Sequence, residues 1–410
     1  MGMRFICGFL LLSGSLLPFA RTNPAGGMAP AGGASPQSCA TTLSGDSLSV
    51  MFWNVENFFD WRDDGTTESD SEFSSQGERH WTWKRFQAKA NAFAKALLWT
   101  GSQTGRLPDI VGLAEVENAF VLRQVLQKTA IRKLDYRYVH FDSPDRRGID
   151  VALLYRTSRL ELLDSRPCHL FDADSLLPTR DILLCRFRLR QDGLSFEGVS
   201  ADPSAGFPGL PADLSSSLST DTTREYSVPA ILGSARTEPL SLPERPLPAS
   251  ASANIEFAVL VNHHPSKYGG ASVSEPRRRI AVERLRFLAD SLRTVGIDRI
   301  IAAGDFNDTP DNPVFRLLEP SLLPLYADLH RRGEGTIKFE GKWDLIDHFY
   351  VSPELLGPPG ARMRILRIPF LLVRDTAHAG EKPLRTYVGP RYAGGVSDHL
   401  PILLEWALPP

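Results

Sequence analysis

Asp305 and Asn307 close the apolar run Ile300-Ile301-Ala302-Ala303-Gly304 and stand two residues apart. Side chains of an extended segment alternate faces, so this spacing predicts that both project to one side where a strand leaves the core. A carboxylate that only accepts, beside an amide that donates, suits a phosphate and its attacking water. The Asp holds or deprotonates the water, and the Asn donates to a phosphoryl oxygen. Continued as Asp308-Thr309-Pro310, the same residues also fit an ordinary strand-to-loop exit.

Three earlier apolar stretches end in the same manner. Residues 48–53 run into Asn54, 109–114 into Glu115, and 259–261 into Asn262 and His263. Two more follow: the strand-like stretch 345–351 carries Asp347, and Asp398 and His399 precede the apolar 402–404. Polar residues recurring at strand ends fit sheets whose edges build a single site, with helices packed outside. Helical spacing of Phe86, Ala90, Phe93 and Leu97 predicts one such helix over 83–99. A second opens at Arg277-Arg278-Arg279, with Arg284 and Arg286 on its basic side and Leu285 and Leu288 on another face. Phosphodiester cleavage needs a cation for developing charge, a base for water and donors for phosphoryl oxygens. The strand ends supply all three. Glu115 or Asp398 suits a hard divalent cation such as Mg²⁺, with Mn²⁺ or Ca²⁺ as alternatives, whereas the absence of cysteine from these stretches argues against zinc thiolate. Arg147 and Arg277 are candidate contacts for a substrate phosphate.

The 410 residues, 42% of them hydrophobic, allow one large α/β domain or two smaller ones. With 46 Lys and Arg against 48 Asp and Glu, the chain has no overall basic field of the kind that alone announces nucleic-acid binding. Arg4 followed by the apolar stretch 5–20 predicts a signal peptide over 1–20, hence export to a periplasmic or extracellular space. That stretch is short for a bilayer span, so no stable membrane span is expected after processing. A flexible leader (21–47) and the main domain (48–408) follow, the latter interrupted at about 191–253 by a Ser-, Pro-, Ala- and Leu-rich loop insertion. Cys39 lacks a convincing lipoprotein box, which makes lipid anchoring the weaker alternative. Cys168 and Cys185 flank apparent neighbouring strands, and an exported chain permits a disulfide between them.

Taken in order, Trp53-Asn54-Val55-Glu56-Asn57, Leu113-Ala114-Glu115-Val116-Glu117-Asn118, Val261-Asn262-His263, Gly304-Asp305-Phe306-Asn307-Asp308, Ile346-Asp347 and Ser397-Asp398-His399 resemble the endonuclease/exonuclease/phosphatase superfamily. Arg79-His80-Trp81-Thr82, the stretches 147–155 and 179–183, and Gly335-Thr336 through Trp343 resemble a bacterial, often exported, branch of it. The insertion at 191–253 is longer than the family pattern there, which bears on the substrate-facing loops. The resemblance implies an α/β fold, a four-layer α/β sandwich of two mostly antiparallel or mixed sheets face to face with helices outside. It also implies Glu115 as the main metal carboxylate, with Asn54 and Asp398 near the metal. Asp305 would position or activate water, Asn307 would contact the phosphate, and Asp347 would orient His399 as the other acid/base group. His263 would bond the scissile phosphate or protonate the leaving group. The implied activity is an exported, Mg²⁺-dependent phosphoesterase cleaving phosphodiesters, a monomeric endonuclease or exonuclease with nucleic acid as substrate. The alternatives are an inositol-phosphate phosphatase, a sphingomyelinase-like phospholipase acting on a phosphorylated lipid head group, and, from another class, a catalytically silent binding protein on the same fold.

Overall fold

The computed structural model describes residues 47–65, 67, 69–190, 255–266, 270–358 and 360–408. The expected signal peptide, the leader up to residue 46 and the insertion at 191–253 lie outside the described residues. Strand β1 (Ser47–Phe58) takes in the residue at which the leader was expected to end. Helix α1 spans Trp83–Thr104 and is followed by β2 (Ile110–Val116), α2 (Ala119–Lys128), β3 (Tyr136–His140), β4 (Asp150–Arg156), β5 (Leu160–Cys168), β6 (Ile182–Leu189) and β7 (Glu256–His263). Helix α3 (Ala271–Thr294), β8 (Ile300–Asp305), β9 (Leu323–Pro324), β10 (Asp347–Val351), β11 (Ala361–Ile365) and β12 (Ile402–Ala407) complete the frame. Helix α1 outruns its expected end because its stop signal is Gly105, which takes the left-handed conformation at the C-cap.

Two sheets of six strands result, ordered β11-β12-β1-β2-β4-β3 and β9-β10-β8-β7-β6-β5. In each, the central pair alone is parallel: β1 with β2, and β7 with β8. A parallel pair needs a long crossover, and the chain connects the first pair through α1 and the second through α3. The alternation along β1 shows why it reads as a nearly unbroken apolar run. Leu48, Val50 and Phe52 join the core between the sheets, whereas Met51, Trp53 and Val55 join the core that also holds Phe86, Ala90 and Phe93 of α1. On the second sheet Val259, Val261, Ile301, Ala303 and Phe349 face inward, and Leu260 and Ala302 pack with Leu285 and Leu288 of α3. The layers are therefore helix, sheet, sheet and helix. Each fully buried large aliphatic or aromatic side chain stabilises this arrangement by about 1.5–3 kcal/mol. No helix among the described residues is long and apolar enough to cross a membrane.

Cys168 and Cys185, between which export would permit a disulfide, are both buried and free. They do lie on adjacent strands, β5 and β6, but Cys168 pairs with Ile182 and Cys185 with Ser165. Cys185 stands an odd three positions after Ile182, so the sulfurs belong to opposite faces: Cys185 to the core between the sheets, Cys168 to the core under α3.

Trp53 joins three elements. Its ring stacks on Phe93 of α1 at 5.8 Å, and its indole N–H donates to the carbonyl of His399 at 2.9 Å, in the segment leading into β12. Trp53→Phe leaves that buried carbonyl without its donor, and the unfolding free energy from urea melts is expected to fall by about 1–3 kcal/mol. A midpoint equal to the parent's would show that the indole bond holds nothing.

Candidate active site

The register of the second sheet puts three polar residues in one row. Asp305 pairs with His263 across β7 and with Asp347 across β10. Each has the parity of the inward-facing residues behind it, such as Val261, Ala303 and Phe349, so all three point into the space between the sheets at its edge. Gly304 permits this. A Cβ there would meet the Cβ and carbonyl oxygen of Asn262 at 2.6 Å, so a larger residue would push β7 and β8 apart beside His263 and Asp305.

Asn54 and Glu115 come from the first sheet. Asn54 continues the inward parity of Phe52. Glu115 does not: Val111 and Leu113 face α1, and strict alternation would send Glu115 there too. Instead its backbone bends into the left-handed region, with φ of 66°. The carboxylate then accepts from Asn54 Nδ2 at 3.2 Å and from the Asn57 N–H at 2.8 Å. Glu56 and Asn57 also have positive φ, at 48° and 50°. Such conformations in non-glycine residues cost of order 1–3 kcal/mol each and persist only where the surroundings enforce them.

Asn54 has one possible orientation, since its Oδ1 accepts from the Glu56 N–H at 3.0 Å. Its Nδ2 therefore faces both Glu115 and Asp305, the latter at 3.0 Å. His263 Nε2 lies near the same two carboxylates, 3.8 Å from Glu115 and 3.6 Å from Asp305. His399 enters from the segment before β12. Ser397 Oγ donates to the Asn54 carbonyl at 2.6 Å and accepts from the His399 N–H at 2.9 Å, which fixes the ring's backbone. Its Nδ1 bonds Asp347 Oδ2 at 2.8 Å, and its Nε2 is 3.9 Å from both Asp305 and Asp398.

Contrary to what its spacing predicts, Asn307 does not share the strand with Asp305. Strand β8 ends at Asp305, and Asn307 lies beyond it in the left-handed region with φ of 52°. Its N–H caps Asp305 Oδ1 at 2.8 Å, and its side-chain amide donates to the His264 carbonyl at 2.9 Å. A turn, not strand alternation, brings it to the site. Asp398 is bound by Arg385 at 3.0 Å, and Arg147 and Arg277 line a separate cavity rather than touching this set. Arg180 and Asp150 brace loops: Arg180 bonds Asp145 and the His264 carbonyl, and Asp150 accepts from the Ser143 N–H while lying 3.2 Å from His140.

Glu56, Lys89 and Arg385 were not singled out from the sequence. Arg385 bridges Glu56 and Asp398, Thr386 N–H bonds Glu56 at 2.8 Å, and the fully buried Lys89 ammonium donates to the Glu56 carbonyl and to Thr386 Oγ1. Burial pushes Glu56 up to about 7, with nearby Asp398 adding to the rise, and lowers Lys89 to about 8. The one signal in the sequence was position, since Glu56 follows Asn54 within a strand otherwise nearly all apolar.

Burial also pushes Asp305 up to about 7, against the stabilising charge of His399 and with the repulsion of Asp347. His263 is held well below the usual imidazole range, first by burial and then by Arg180 and Arg147. His399 goes the other way: burial lowers it, but Asp347, Asp305 and Asp398 together raise it well above that range. The two histidines are therefore biased in opposite senses, His263 toward the neutral ring and His399 toward the imidazolium.

This donor set fits a hard divalent cation. Asp305, Asp347 and His399 bring ligand atoms within 4.8 Å of one another, Glu115 lies 3.8 Å from His263 and Asp398 3.9 Å from His399, and cysteine is absent from the set. Asp347 gives Oδ2 to His399 and keeps a buried Oδ1 without a partner, and Glu115, which shares the nitrogens of Asn54 and His263 with Asp305, would hold the ion, with Asp305 and Asp398 nearby.

The chain matches the family model described as Endonuclease/Exonuclease/phosphatase family over residues 49–204 and 250–407. Among solved structures it is similar to a mannosyl-6-phosphatase of Bacteroides thetaiotaomicron, at 14% identity over 87% of this chain and 98% of that one, with a TM-score of 0.47. The human Nocturnin catalytic domain with bound sulfate is similar at 15% identity over 88% and 93%, with a TM-score of 0.45. D. rerio TDP2 complexed with a single-strand DNA product is similar at 14% identity over 88% and 99%, also with a TM-score of 0.45. No curated protein matches the chain.

The His399–Asp347 pair has a testable sign. A raised folded pKa stabilises the fold fully below the unfolded value of about 6.5, and the contribution is lost as pH rises through the folded value. In EDTA, nitrogen NMR shifts should show His399 protonated at pH 7 in the parent and neutral in Asp347→Asn. A neutral ring in the parent would remove the claimed pairing.

Proposed function

The chain belongs to the endonuclease/exonuclease/phosphatase family and is a metal-dependent hydrolase of phosphoester bonds, and from that premise we propose that it cleaves phosphodiesters of nucleic acid with Mg²⁺. The observation that carries the proposal is the convergence of Asp305 and His399, 3.9 Å apart at a shared edge, with burial pushing the acid up to about 7 and the surrounding carboxylates raising the imidazole. An acid whose pKa lies near the working pH is well matched to take a proton from water as the water attacks phosphorus. Asp305 is that acceptor, aimed by the Asn54 amide and the Asn307 N–H. His399, oriented through Nδ1 by Asp347, presents Nε2–H to a phosphoryl oxygen as charge builds there. His263, neutral and buried, is a donor to the phosphate rather than a proton acid. When bound, the cation supplies charge neutralisation at the phosphoryl oxygens.

The arginines that line a cavity beside the His264 backbone suit a substrate carrying further phosphate past the scissile ester, as a nucleic-acid strand does at every nucleotide. Export of the chain is part of the same proposal, supported by the apolar stretch 5–20 after Arg4.

The parent is expected to cleave single- or double-stranded DNA or RNA in Mg²⁺ and to stop in EDTA. Asp305→Asn and His399→Ala should each lower kcat by about 100-fold or more, the usual scale of a positioned proton-transfer group. No cleavage of any nucleic acid, or variants as fast as the parent, would sink the assignment.

A further inference from the structure

Beside Pro265 and Ser266, which follow His263 and His264 in the chain, opens a cavity of about 400 Å³. That is within the roughly 300–1,000 Å³ of small-ligand sites. Arg146, Arg147, Arg180 and Arg277 line it, and Asp145 is the sole carboxylate among its described lining residues. Asp145 is already committed, with Oδ2 3.0 Å from Arg180 Nη1 and Oδ1 3.7 Å from Arg147 Nε. Neither Arg146 nor Arg277 pairs with an acid among the described residues. Arg180 is itself buried, and its Nε has no hydrogen-bond partner. Four guanidiniums around one carboxylate, one of them buried with an unanswered N–H, make a wall that lacks its anion.

The cavity and the catalytic edge meet at one atom. The His264 carbonyl accepts from Arg180 Nη2 at 2.6 Å and from Asn307 Nδ2 at 2.9 Å. An anion held by the arginines therefore sits beside, but not on, the phosphate that water would attack at Asp305 and His399. We propose that this cavity binds a second, non-reacting phosphate carried by the same substrate molecule. The inference rests on the phosphodiesterase proposal and narrows it to substrates with at least two phosphates. Guanidinium suits such a group because its planar N–H fork meets two phosphate oxygens at once, whereas a single carboxylate would leave most of these donors unmet. The second phosphate could belong to a polynucleotide backbone or to a bisphosphorylated polyol, and the chemistry at the arginines is the same.

Calorimetric titration of the full chain in EDTA, where nothing is cleaved, separates binding from catalysis. The ligands are adenosine 3′,5′-bisphosphate against adenosine 5′-monophosphate, and inositol 1,4-bisphosphate against inositol 1-phosphate. In at least one pair the bisphosphate should bind tenfold or more tightly, and the pair with the larger ratio identifies the source of the second phosphate. The Arg147→Gln/Arg277→Gln double variant should erase that preference. Arg147 has a side chain 43% exposed and Arg277 is exposed, so neither change threatens folding, which circular dichroism verifies. Equal affinities within both pairs, or a preference that survives in the variant, would overturn the subsite. A chain that hydrolyses no phosphoester yet keeps the preference loses the phosphodiesterase proposal and retains the anion site, so the two failures are distinguishable.

Discussion

Asp305 carries a carboxylate into a place almost without water, at the edge where both sheets stop, and the groups around it answer for that charge. Burial pushes the acid toward its neutral form, and a neutral acid could not accept a proton. Two N–H donors, from Asn54 and Asn307, and the nearby imidazolium of His399 hold it at about 7 instead. Asp347 keeps His399 charged by bonding its other nitrogen, although its own negative charge also works against ionising Asp305. The site is thus a balance among buried charges, and removing any member moves the others.

The fold supplies what that balance requires, namely positions that do not drift. Adjacent strands of one sheet fix His263, Asp305 and Asp347 at a common level. The first sheet contributes Asn54 by ordinary alternation and Glu115 by a left-handed bend. Trp53 and Ser397 then fasten the His399 segment to β1 through its carbonyl and its N–H. Behind the edge, Arg385 and Lys89 neutralise Glu56, so that a second buried acid does not compete for the same space.

Much of this was legible in the chain because strands buried on both faces leave few places for polar side chains. An Asn, Glu, His or Asp at the end of such a run stands out, and the four layers follow from strands of that kind connected by amphipathic helices. What was not legible depends on contacts or torsions that one-dimensional spacing does not encode. Alternation predicted the right side for Asn307 by the wrong route, since a left-handed turn and not the strand places it. For Glu115 alternation would have predicted the wrong side. The Glu56, Lys89 and Arg385 network joins residues far apart in sequence, and no local pattern couples them. The cysteines meet the same limit: their neighbouring strands were foreseen, but the faces depend on register, and the pairing of Cys185 with Ser165 sends the two thiols apart.

The crowded carboxylates at this edge would form a cation site anchored by Glu115. Thermal melting of the parent and of Glu115→Gln, each titrated with Mg²⁺, tests it without recourse to activity, because an ion bound only by the folded state raises the midpoint in a saturable manner. The parent's midpoint should climb and level off, and the variant's should stay flat. A parent indifferent to Mg²⁺, or a variant that responds as the parent does, would contradict the claim.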